Sequence, residues 1–158
     1  MIVLGIDPGL AVSGFGLVEH AHHRLKLIDA GVLKMSSSLP VHERILLFHA
    51  FFTEKITSCG VTHIALETPF LGKNAQNFLK LGYLRGIVYL LSAQFGMQLH
   101  EFAPCQVKLA LTGYGGADKA QVARVVAALF PSLVVGKNLD LTDAVAIALC
   151  GAWQAKIV

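Results

Sequence analysis

Four acidic residues stand where their carboxylates could act together. Asp7 ends the β-branched run MIVLGID, and Glu67 ends the similar run THIALE. Asp140 and Asp143 are three residues apart in an apolar stretch, so in a helix they would share one face. Carboxylates gathered in one site repel each other unless divalent cations compensate them, and all-oxygen ligation suits Mg²⁺ or Mn²⁺ rather than zinc. Two such ions, about 3.5–4 Å apart, support the hydrolysis of a phosphodiester.

Each of these acids also has a structural interpretation. Asp7 precedes Pro-Gly and could be a turn residue, while Asp140 could be no more than the N-cap of the last helix. Asp143 and Glu67 are harder to explain in this way, because acids within apolar segments are rarely buried without a partner. The four together therefore favour a functional site over four separate structural roles.

Five basic residues accompany the acids and could contact a phosphate backbone: Lys73, Lys80, Arg85, Lys108 and Lys119. The first three lie on or just before a long helical segment. The last two bracket the glycine-rich loop GYGGADK, whose bare backbone can approach a phosphate closely. A solvated helix face is the alternative for each of them. Phe70 follows Pro69 in a loop with polar and glycine neighbours, where stacking on an unpaired base is more natural than a place in the core.

Three strand-like runs open the chain and predict a β-meander, with a polar hairpin tip at His20, His22 and His23 rather than a metal site: MIVLGID, SGFGLVEH and RLKLIDAGVLKM. Apolar spacing then predicts a helix over about 40–58, a strand over about 62–67, a long helix over about 74–95 and a strand over about 98–102. Further helices are predicted over about 104–111, from the glycine-rich loop to about 130, and over about 141–153.

This order of elements predicts an α/β fold in which helices flank a five-stranded mixed β-sheet. If the first and fourth strands are parallel neighbours, Asp7 and Glu67 emerge at the same edge of the sheet. That carboxyl edge is where open sheets place their active sites.

The chain is rich in apolar residues for its length. Its 158 residues fit a single domain, expected to span 1–158, yet 54% are hydrophobic and only 15% are charged. Polar residues interrupt the most apolar stretches, so we expect no membrane span, and the apolar surplus favours a subunit interface.

The long helix supports this interpretation, because its apolar residues form two stripes: Phe78, Leu81, Leu84, Val88 and Leu91 in one, and Leu79, Tyr83, Ile87 and Leu90 in the other. One stripe can pack on the sheet. The other predicts a symmetric dimer, unless another helix of the same chain covers it.

Charge, cysteines and the N-terminus restrict the function less. The net charge of +3 permits a nucleic-acid partner without requiring one. The three cysteines show no spacing typical of a disulfide framework or a zinc site. Asp7 and Pro8 interrupt the N-terminal apolar run at once, so we expect no signal peptide and a location in the cytoplasm.

Four segments resemble, in the same order, the sequence blocks of bacterial RuvC resolvases: GIDPGLAVSGFG, ALETPFLGKNAQNFLKLGYLRG, FAPCQVKLALTGYGGADKAQV and DLTDAVAIAL. The resemblance covers nearly the whole chain. It implies an RNase H-like fold and a homodimeric endonuclease that nicks two opposing strands of a four-way Holliday junction during recombination and repair. The implied partners are the four-way junction DNA, a second copy of the chain and a branch-migration motor complex.

The same resemblance implies roles for individual residues. The four acids become a metal-binding catalytic set that holds Mg²⁺ or Mn²⁺, with two ions in each active site. Lys108 and Lys119 match basic residues near the scissile phosphate. Phe70 matches an aromatic residue that inserts at the junction.

Three other functions are compatible with parts of the sequence. Actin-like and sugar kinases also carry a glycine-rich turn after an aspartate, but they need a second phosphate-binding lobe, for which 158 residues leave no room. The presence of all four acids disfavours a junction-binding protein without activity. A nuclease that acts on RNA–DNA hybrids is distinguished from a resolvase by the Phe70 loop, the long dimer-like helix and the order of the blocks.

Overall fold

The structure is a computed structural model that describes residues 1–69, 75–133 and 139–154. Its strands are β1 Ile2–Asp7, β2 Val12–Ala21, β3 Arg24–Lys34, β4 His63–Glu67 and β5 Gln98–Phe102. Its helices are α1 Val41–Cys59, α2 Ala75–Gln94, α3 Pro104–Thr112, α4 Lys119–Leu129 and α5 Leu139–Gln154. The predicted order of strands and helices is therefore confirmed over the described residues.

The strands form one mixed sheet in the order β3-β2-β1-β4-β5. The meander supplies the antiparallel pairs β3–β2 and β2–β1, and the segments that cross over through helices supply the parallel pairs β1–β4 and β4–β5. The register between β1 and β4 pairs Ile6 with Leu66. The next residues on these adjacent strands are Asp7 and Glu67.

Each face of the sheet carries its own layer of helices and its own core. Side chains alternate along β1, so Leu4 and Ile6 pack against α1 and α2, whereas Val3 and Gly5 face α5. Phe48 and Phe52 of α1 are fully buried, with 4.5 Å between their ring centroids. On the other side, residues 144–150 of α5 are all buried. Because helices cover both faces of β1 and β4, these strands are almost continuously apolar.

Glycines in β1 and β2 let α5 lie very close to the sheet. The antiparallel register pairs Gly5 with Gly16 and Asp7 with Gly14. A Cβ atom added at Gly5 would lie 2.2 Å from a backbone carbonyl oxygen of α5, and one added at Gly14 would lie 2.1 Å from the carbonyl oxygen of Asp140. The backbone of α5 therefore occupies the space that side chains would need. This approach brings the first turns of α5 beside the end of β1.

The observed boundaries differ from the predicted ones by at most two residues. α5 begins at Leu139, so Asp140 is the second residue of the helix and not its N-cap. The β2–β3 hairpin turns at His22 and His23, within the predicted polar tip. Their φ angles are 49° and 62°, and positive φ at both residues is typical of a two-residue hairpin turn. Among the helices of the described ranges, none is long and apolar enough to cross a membrane.

Candidate active site

Asp7 and Glu67 project from the same edge and the same face of the sheet. They are the last residues of β1 and β4, which are parallel neighbours. The preceding residues, Ile6 and Leu66, belong to the core beneath α1 and α2. Since side chains alternate along a strand, the two carboxyl groups lie on the opposite, α5 side.

α5 adds a third acid to this pair. A cleft of about 280 Å³ opens at the edge of the sheet and is lined by Asp7, Glu67 and Asp143 and by two lysines, Lys108 and Lys119. Apolar residues of α3, α4 and α5 complete its wall: Pro104, Val107, Val122, Ala146 and Ile147. Asp140, one turn before Asp143, does not line this cleft, but its charge is near enough to act on Asp7. The structure thus brings three of the four predicted acids into one cleft.

The two lysines reach the cleft from different helices. Lys119 is the first residue of α4, after the N-cap Asp118, whose side chain accepts a hydrogen bond from the backbone N–H of Gln121 at 2.8 Å. Lys119 Nζ donates to Asp143 Oδ2 at 2.6 Å, although 61% of the lysine side chain remains exposed. Lys108 comes from α3 and is half-buried. An exposed ammonium group therefore stands where an incoming anion would meet it.

Negative charge is crowded and poorly solvated in this cleft. Burial is the main cause that raises the pKa of Asp7 from 3.8 to about 7, and three neighbouring carboxylates add to it: Asp143, Glu67 and Asp140. Burial, and then the charge of Asp143, also raise the pKa of Glu67. The hydrogen bond to Asp143 raises the pKa of Lys119, which therefore stays charged. An added cation would relieve the repulsion among the acids.

The ligand set suits a hard divalent cation, since carboxylate oxygens are what Mg²⁺ and Mn²⁺ prefer. Within residues 1–69, 75–133 and 139–154, no three acidic, histidine or cysteine side chains are gathered closely enough to hold one ion by themselves. Mg²⁺ is usually not enclosed by protein ligands alone, because it keeps several waters and takes further oxygens from a bound phosphate. The open arrangement of Asp7, Glu67 and Asp143 is therefore compatible with ions whose coordination the substrate completes.

The turn after Asp7 is held from two directions. Ser13 is fully buried, and its hydroxyl donates to the carbonyl oxygen of Gly9 at 2.7 Å and accepts from the N–H of Gly9 at 3.0 Å. Arg44 of α1 donates to the carbonyl oxygen of Leu10 at 3.2 Å. Neither contact was predicted, although a serine soon after Pro-Gly is a signal for a hydroxyl-stabilised turn. Together these bonds fix the chain where it leaves β1.

The remaining basic residues are placed differently from one another. Lys80 is exposed on α2. Arg85 has only 7% exposure, and its guanidinium donates to the carbonyl oxygen of Glu67 and to the carboxylate of Glu101. This position does not support the predicted contact of Arg85 with DNA, because its charge is already paired inside the protein. The other two predicted DNA contacts, Phe70 and Lys73, lie outside the described residues.

Known proteins resemble this chain over almost all of its length. Residues 3–151 match the family described as "Crossover junction endodeoxyribonuclease RuvC". A protein so described from Desulfitobacterium hafniense (strain DSM 10664 / DCB-2) is 37% identical over 158 residues, which cover 100% of this chain and 96% of that protein. The chain therefore belongs to the RuvC family. Another RuvC relative, from Roseiflexus sp. (strain RS-1), is 40% identical over 155 residues, which cover 98% of this chain and 92% of the relative.

Solved RuvC structures share the fold as well. The structure described as "T. thermophilus RuvC in complex with Holliday junction substrate" matches with a TM-score of 0.88 at 29% identity, covering 99% of this chain and 96% of that chain. The predicted RNase H-like fold, a five-stranded mixed sheet between two helical layers, is thus confirmed. All four predicted acids fall within the segment that matches the RuvC family.

Two supporting features of this RuvC cleft were not predicted. Gly5 and Gly14 lie on the face of the sheet that carries Asp7, and the repeated glycines of GIDPGLAVSGFG were a signal that another element packs closely there. The pairing of Arg85 with Glu101 had no such signal, because no periodicity relates a residue on α2 to one on β5.

Proposed function

We propose that the protein is an endonuclease that resolves Holliday junctions by nicking two opposing strands, in homologous recombination and DNA repair. The observation that carries this proposal is the cleft in which Asp7, Glu67 and Asp143 meet Lys108 and Lys119, in a fold shared with a RuvC protein bound to junction substrate. Carboxylates that can hold cations, together with lysines that can meet a phosphate, suit phosphodiester hydrolysis.

In this proposal Asp7, Glu67, Asp140 and Asp143 hold Mg²⁺ or Mn²⁺, with two ions in each cleft. Bound ions would activate a water molecule and stabilise the leaving oxygen, which phosphodiester hydrolysis requires. The contribution of the protein is placement, since the ends of β1 and β4 carry two acids and one face of α5 carries the other two. The raised pKa of Asp7 supports the assignment, because a nearby cation would offset the repulsion that contributes to it.

The two lysines have separable roles in the proposal. Lys119 orients Asp143 through the 2.6 Å ion pair and also presents its ammonium group to the cleft. An ammonium group held in place before the reaction stabilises negative charge as it develops on the scissile phosphate. Lys108 adds positive charge near Glu67 and offsets part of the rise that burial and Asp143 cause in the pKa of that acid. The two lysines would therefore supply the positive charge that the phosphate and the acids share in one cleft.

The DNA-binding surface is proposed to continue from the cleft onto α2 and the segment before it. Lys80 is exposed on this helix and can contact a backbone phosphate. Lys73 would add a second phosphate contact, and Phe70 would stack on a base that is unpaired at the junction point. Stacking at that point would favour a junction over a continuous duplex.

A symmetric dimer through α2 is a further part of the proposal. Leu84, Val88 and Leu91, which belong to the stripe predicted to pack on the sheet, are buried, whereas Phe78 and Leu81 of that stripe are partly exposed. Three large apolar side chains of the other, outer stripe are exposed: Leu79, Tyr83 and Leu90, by 59%, 44% and 53%. Ile87, predicted to lie in the outer stripe, packs against the core instead. Exposed apolar patches commonly mark interfaces, and homo-oligomers are most often two-fold. Two-fold symmetry would present two clefts to the two related strands of a junction.

Replacement of one exposed leucine tests this interface. Leu90→Glu should sediment as a monomer and lose the paired nicks, because a charge would be buried at the two-fold contact. Leu129→Glu is the matched control, since Leu129 is 42% exposed on α4 and should tolerate the charge without a change in mass. A Leu90→Glu protein that stays dimeric and makes both nicks would place the interface elsewhere.

Cutting assays test the function itself. Synthetic four-way junctions, linear duplex and RNA–DNA hybrid are compared with Mg²⁺ or Mn²⁺, and we expect paired nicks in the junction that EDTA prevents. Four conservative variants should abolish cutting and keep junction binding: Asp7→Asn, Glu67→Gln, Asp140→Asn and Asp143→Asn. Asp29→Asn is the matched control, because Asp29 lies on β3 and pairs with Lys55. Preferential cutting of the hybrid would replace this proposal, and cutting by the four variants would refute the metal assignment.

Three broader proposals rest on membership of the RuvC family and on the sequence. A branch-migration motor complex is a proposed partner, the cytoplasm is the proposed location, and residues 1–158 are proposed to form a single domain. A single domain should unfold in one transition that is the same by circular dichroism and by Trp153 fluorescence. Binding to a motor complex should be measurable by co-sedimentation on an uncut junction.

A further inference from the structure

Arg85 is a charged residue of α2 that is buried where this helix meets the ends of β4 and β5. A guanidinium with 7% exposure is strongly unfavourable unless it is paired and fully hydrogen-bonded. It donates to the carbonyl oxygen of Glu67 at the end of β4 and to the carboxylate of Glu101 in β5. Tyr89, one turn later on α2, donates its hydroxyl to the same Glu101 oxygen at 2.7 Å. One guanidinium thus joins α2 to the ends of two strands.

Glu67 is held from the face opposite to its own side chain. Its carboxyl group lines the cleft on the α5 side, while its carbonyl oxygen accepts the hydrogen bond from Arg85 on the α2 side. The next residue, Thr68, donates its N–H to the carbonyl oxygen of Phe102 at 2.7 Å. These two bonds hold the chain at the point where it leaves the sheet.

The position of Glu67 requires such support. Its carboxylate shares the cleft with those of Asp7 and Asp143, and like charges repel strongly where little water screens them. Glu67 is also the last residue of β4, so no further residue of that strand follows it. A bond to its backbone from the opposite face resists displacement of the side chain out of the cleft.

We propose that Arg85 and Glu101 form one positioning pair, which holds the backbone of Glu67 and thereby keeps its carboxylate in the cleft. Glu101 pairs with the guanidinium and orients it, and Arg85 makes the contact with Glu67. Arg85 acts through Glu67 and touches no reacting atom, so it is a positioning residue. The inference rests on the proposed nuclease function and replaces the predicted DNA contact of Arg85.

Single-turnover cutting of a four-way junction, measured separately from the junction dissociation constant, tests the pair. Arg85→Met should cut about ten- to a hundredfold more slowly, since a displacement of about 1 Å in a catalytic group costs that much, while the dissociation constant stays within about twofold. Arg85→Lys keeps the charge without the two-armed guanidinium, so it should remain slower than wild type. The double variant with Glu101→Met should lose no more than Arg85→Met alone, because the two residues act as one unit.

Two further measurements separate this role from a general loss of structure. Lys55→Met is the matched control, because it removes the 2.6 Å Lys55–Asp29 ion pair between α1 and β3 and should cut like wild type. Hydrogen exchange observes the contact without catalysis: Arg85→Met should speed exchange at the Thr68 amide and leave β1 and β2 unchanged. If Arg85→Met does not fold, Glu101→Gln keeps the shape of the pair and should show the same loss of rate to a smaller extent.

Different results overturn the two proposals. Equal losses of rate and junction affinity in Arg85→Met would make Arg85 a DNA contact, and a wild-type rate in Arg85→Met or Arg85→Lys would remove its positioning role. If the wild-type protein cuts no junction, the proposed function fails instead. In that case hydrogen exchange at the Thr68 amide still tests the contact of Arg85 with Glu67. An unchanged rate of exchange in Arg85→Met would overturn the positioning role.

Discussion

Asp7→Asn should stabilise the metal-free protein at neutral and alkaline pH, although it should abolish cutting. Folding removes the Asp7 carboxyl group from water and surrounds it with three other carboxylates, which together raise its pKa from 3.8 to about 7. In the unfolded chain the pKa of this group returns to its usual, lower value. Asparagine has the same shape and no ionisable proton, so the substitution isolates the effect of the charge.

The contribution of Asp7 to the stability of the metal-free wild type should fall as the pH rises. Between the two pKa values the folded protein keeps a proton that the unfolded chain has released, so each step upward in pH favours unfolding until the pH passes about 7. The folded and unfolded pKa values differ by about three pH units at about 1.4 kcal/mol each, which gives an upper limit of about 4 kcal/mol. Relaxation of the structure around the charge reduces this destabilisation. The free energy of unfolding of Asp7→Asn should therefore exceed that of wild type by about 2–4 kcal/mol at about pH 8 and by little at about pH 4.

Urea unfolding followed by circular dichroism in EDTA measures this difference at both pH values. Glu54→Gln, at an exposed position of α1, is the control and should match wild type at each pH. Mg²⁺ should then stabilise wild type more than Asp7→Asn, because the ion would bind only the folded protein and Asp7 would be one of its ligands. The reasoning is refuted if Asp7→Asn is no more stable than wild type at about pH 8, or gains equally at both pH values.

Three other substitutions have expected outcomes that follow from the same cleft. Lys119→Ala should lower the single-turnover rate by about a hundredfold and change junction affinity much less, because the ammonium group acts on charge that develops during the reaction. A change in affinity alone would show that Lys119 contacts the DNA backbone instead. Gly14→Ala should lower the free energy of unfolding, measured by thermal unfolding, by about 1–3 kcal/mol or more and impair cutting, because its Cβ would lie 2.1 Å from the carbonyl oxygen of Asp140. Normal stability and activity would contradict the close contact of α5 with β2. Phe70→Ala should reduce the preference for junction over linear duplex, since stacking contributes about 1–3 kcal/mol per base; equal dissociation constant ratios before and after would contradict stacking.

The sheet and the two acids at its edge could be predicted because the patterns involved are local. Alternation and apolar runs locate β1 and β4, and parallel pairing then brings Asp7 and Glu67 together. The relation of Asp140 and Asp143 to the cleft could not be predicted as closely. Their spacing puts them on one helical face, but how near that face comes to Asp7 depends on the close contact of α5 with glycines of the sheet, which no local pattern reveals.

The burial of Arg85 shows the limit of reasoning from one helix at a time. Judged by its charge, an arginine on α2 is expected to meet solvent or DNA. Its position depends on Glu101, sixteen residues later on another element, and on a backbone carbonyl oxygen that no side-chain pattern reveals. The exposed side chains Leu79 and Leu90 were predicted correctly, because they depend only on the periodicity of α2 itself.

The glycines beneath α5 have a consequence for transplanting this site into another protein. Gly5 and Gly14 contribute no functional group, yet the backbone of α5 lies where their side chains would be. A designer who copied the four acids onto another α/β sheet, with ordinary side chains under the helix, would lift the helix and spread the carboxylates apart. Saturation mutagenesis should accordingly find these two positions as intolerant as the acids themselves. The smallest unit that could be transferred is the four acids together with the glycine positions of β1 and β2 on which α5 packs.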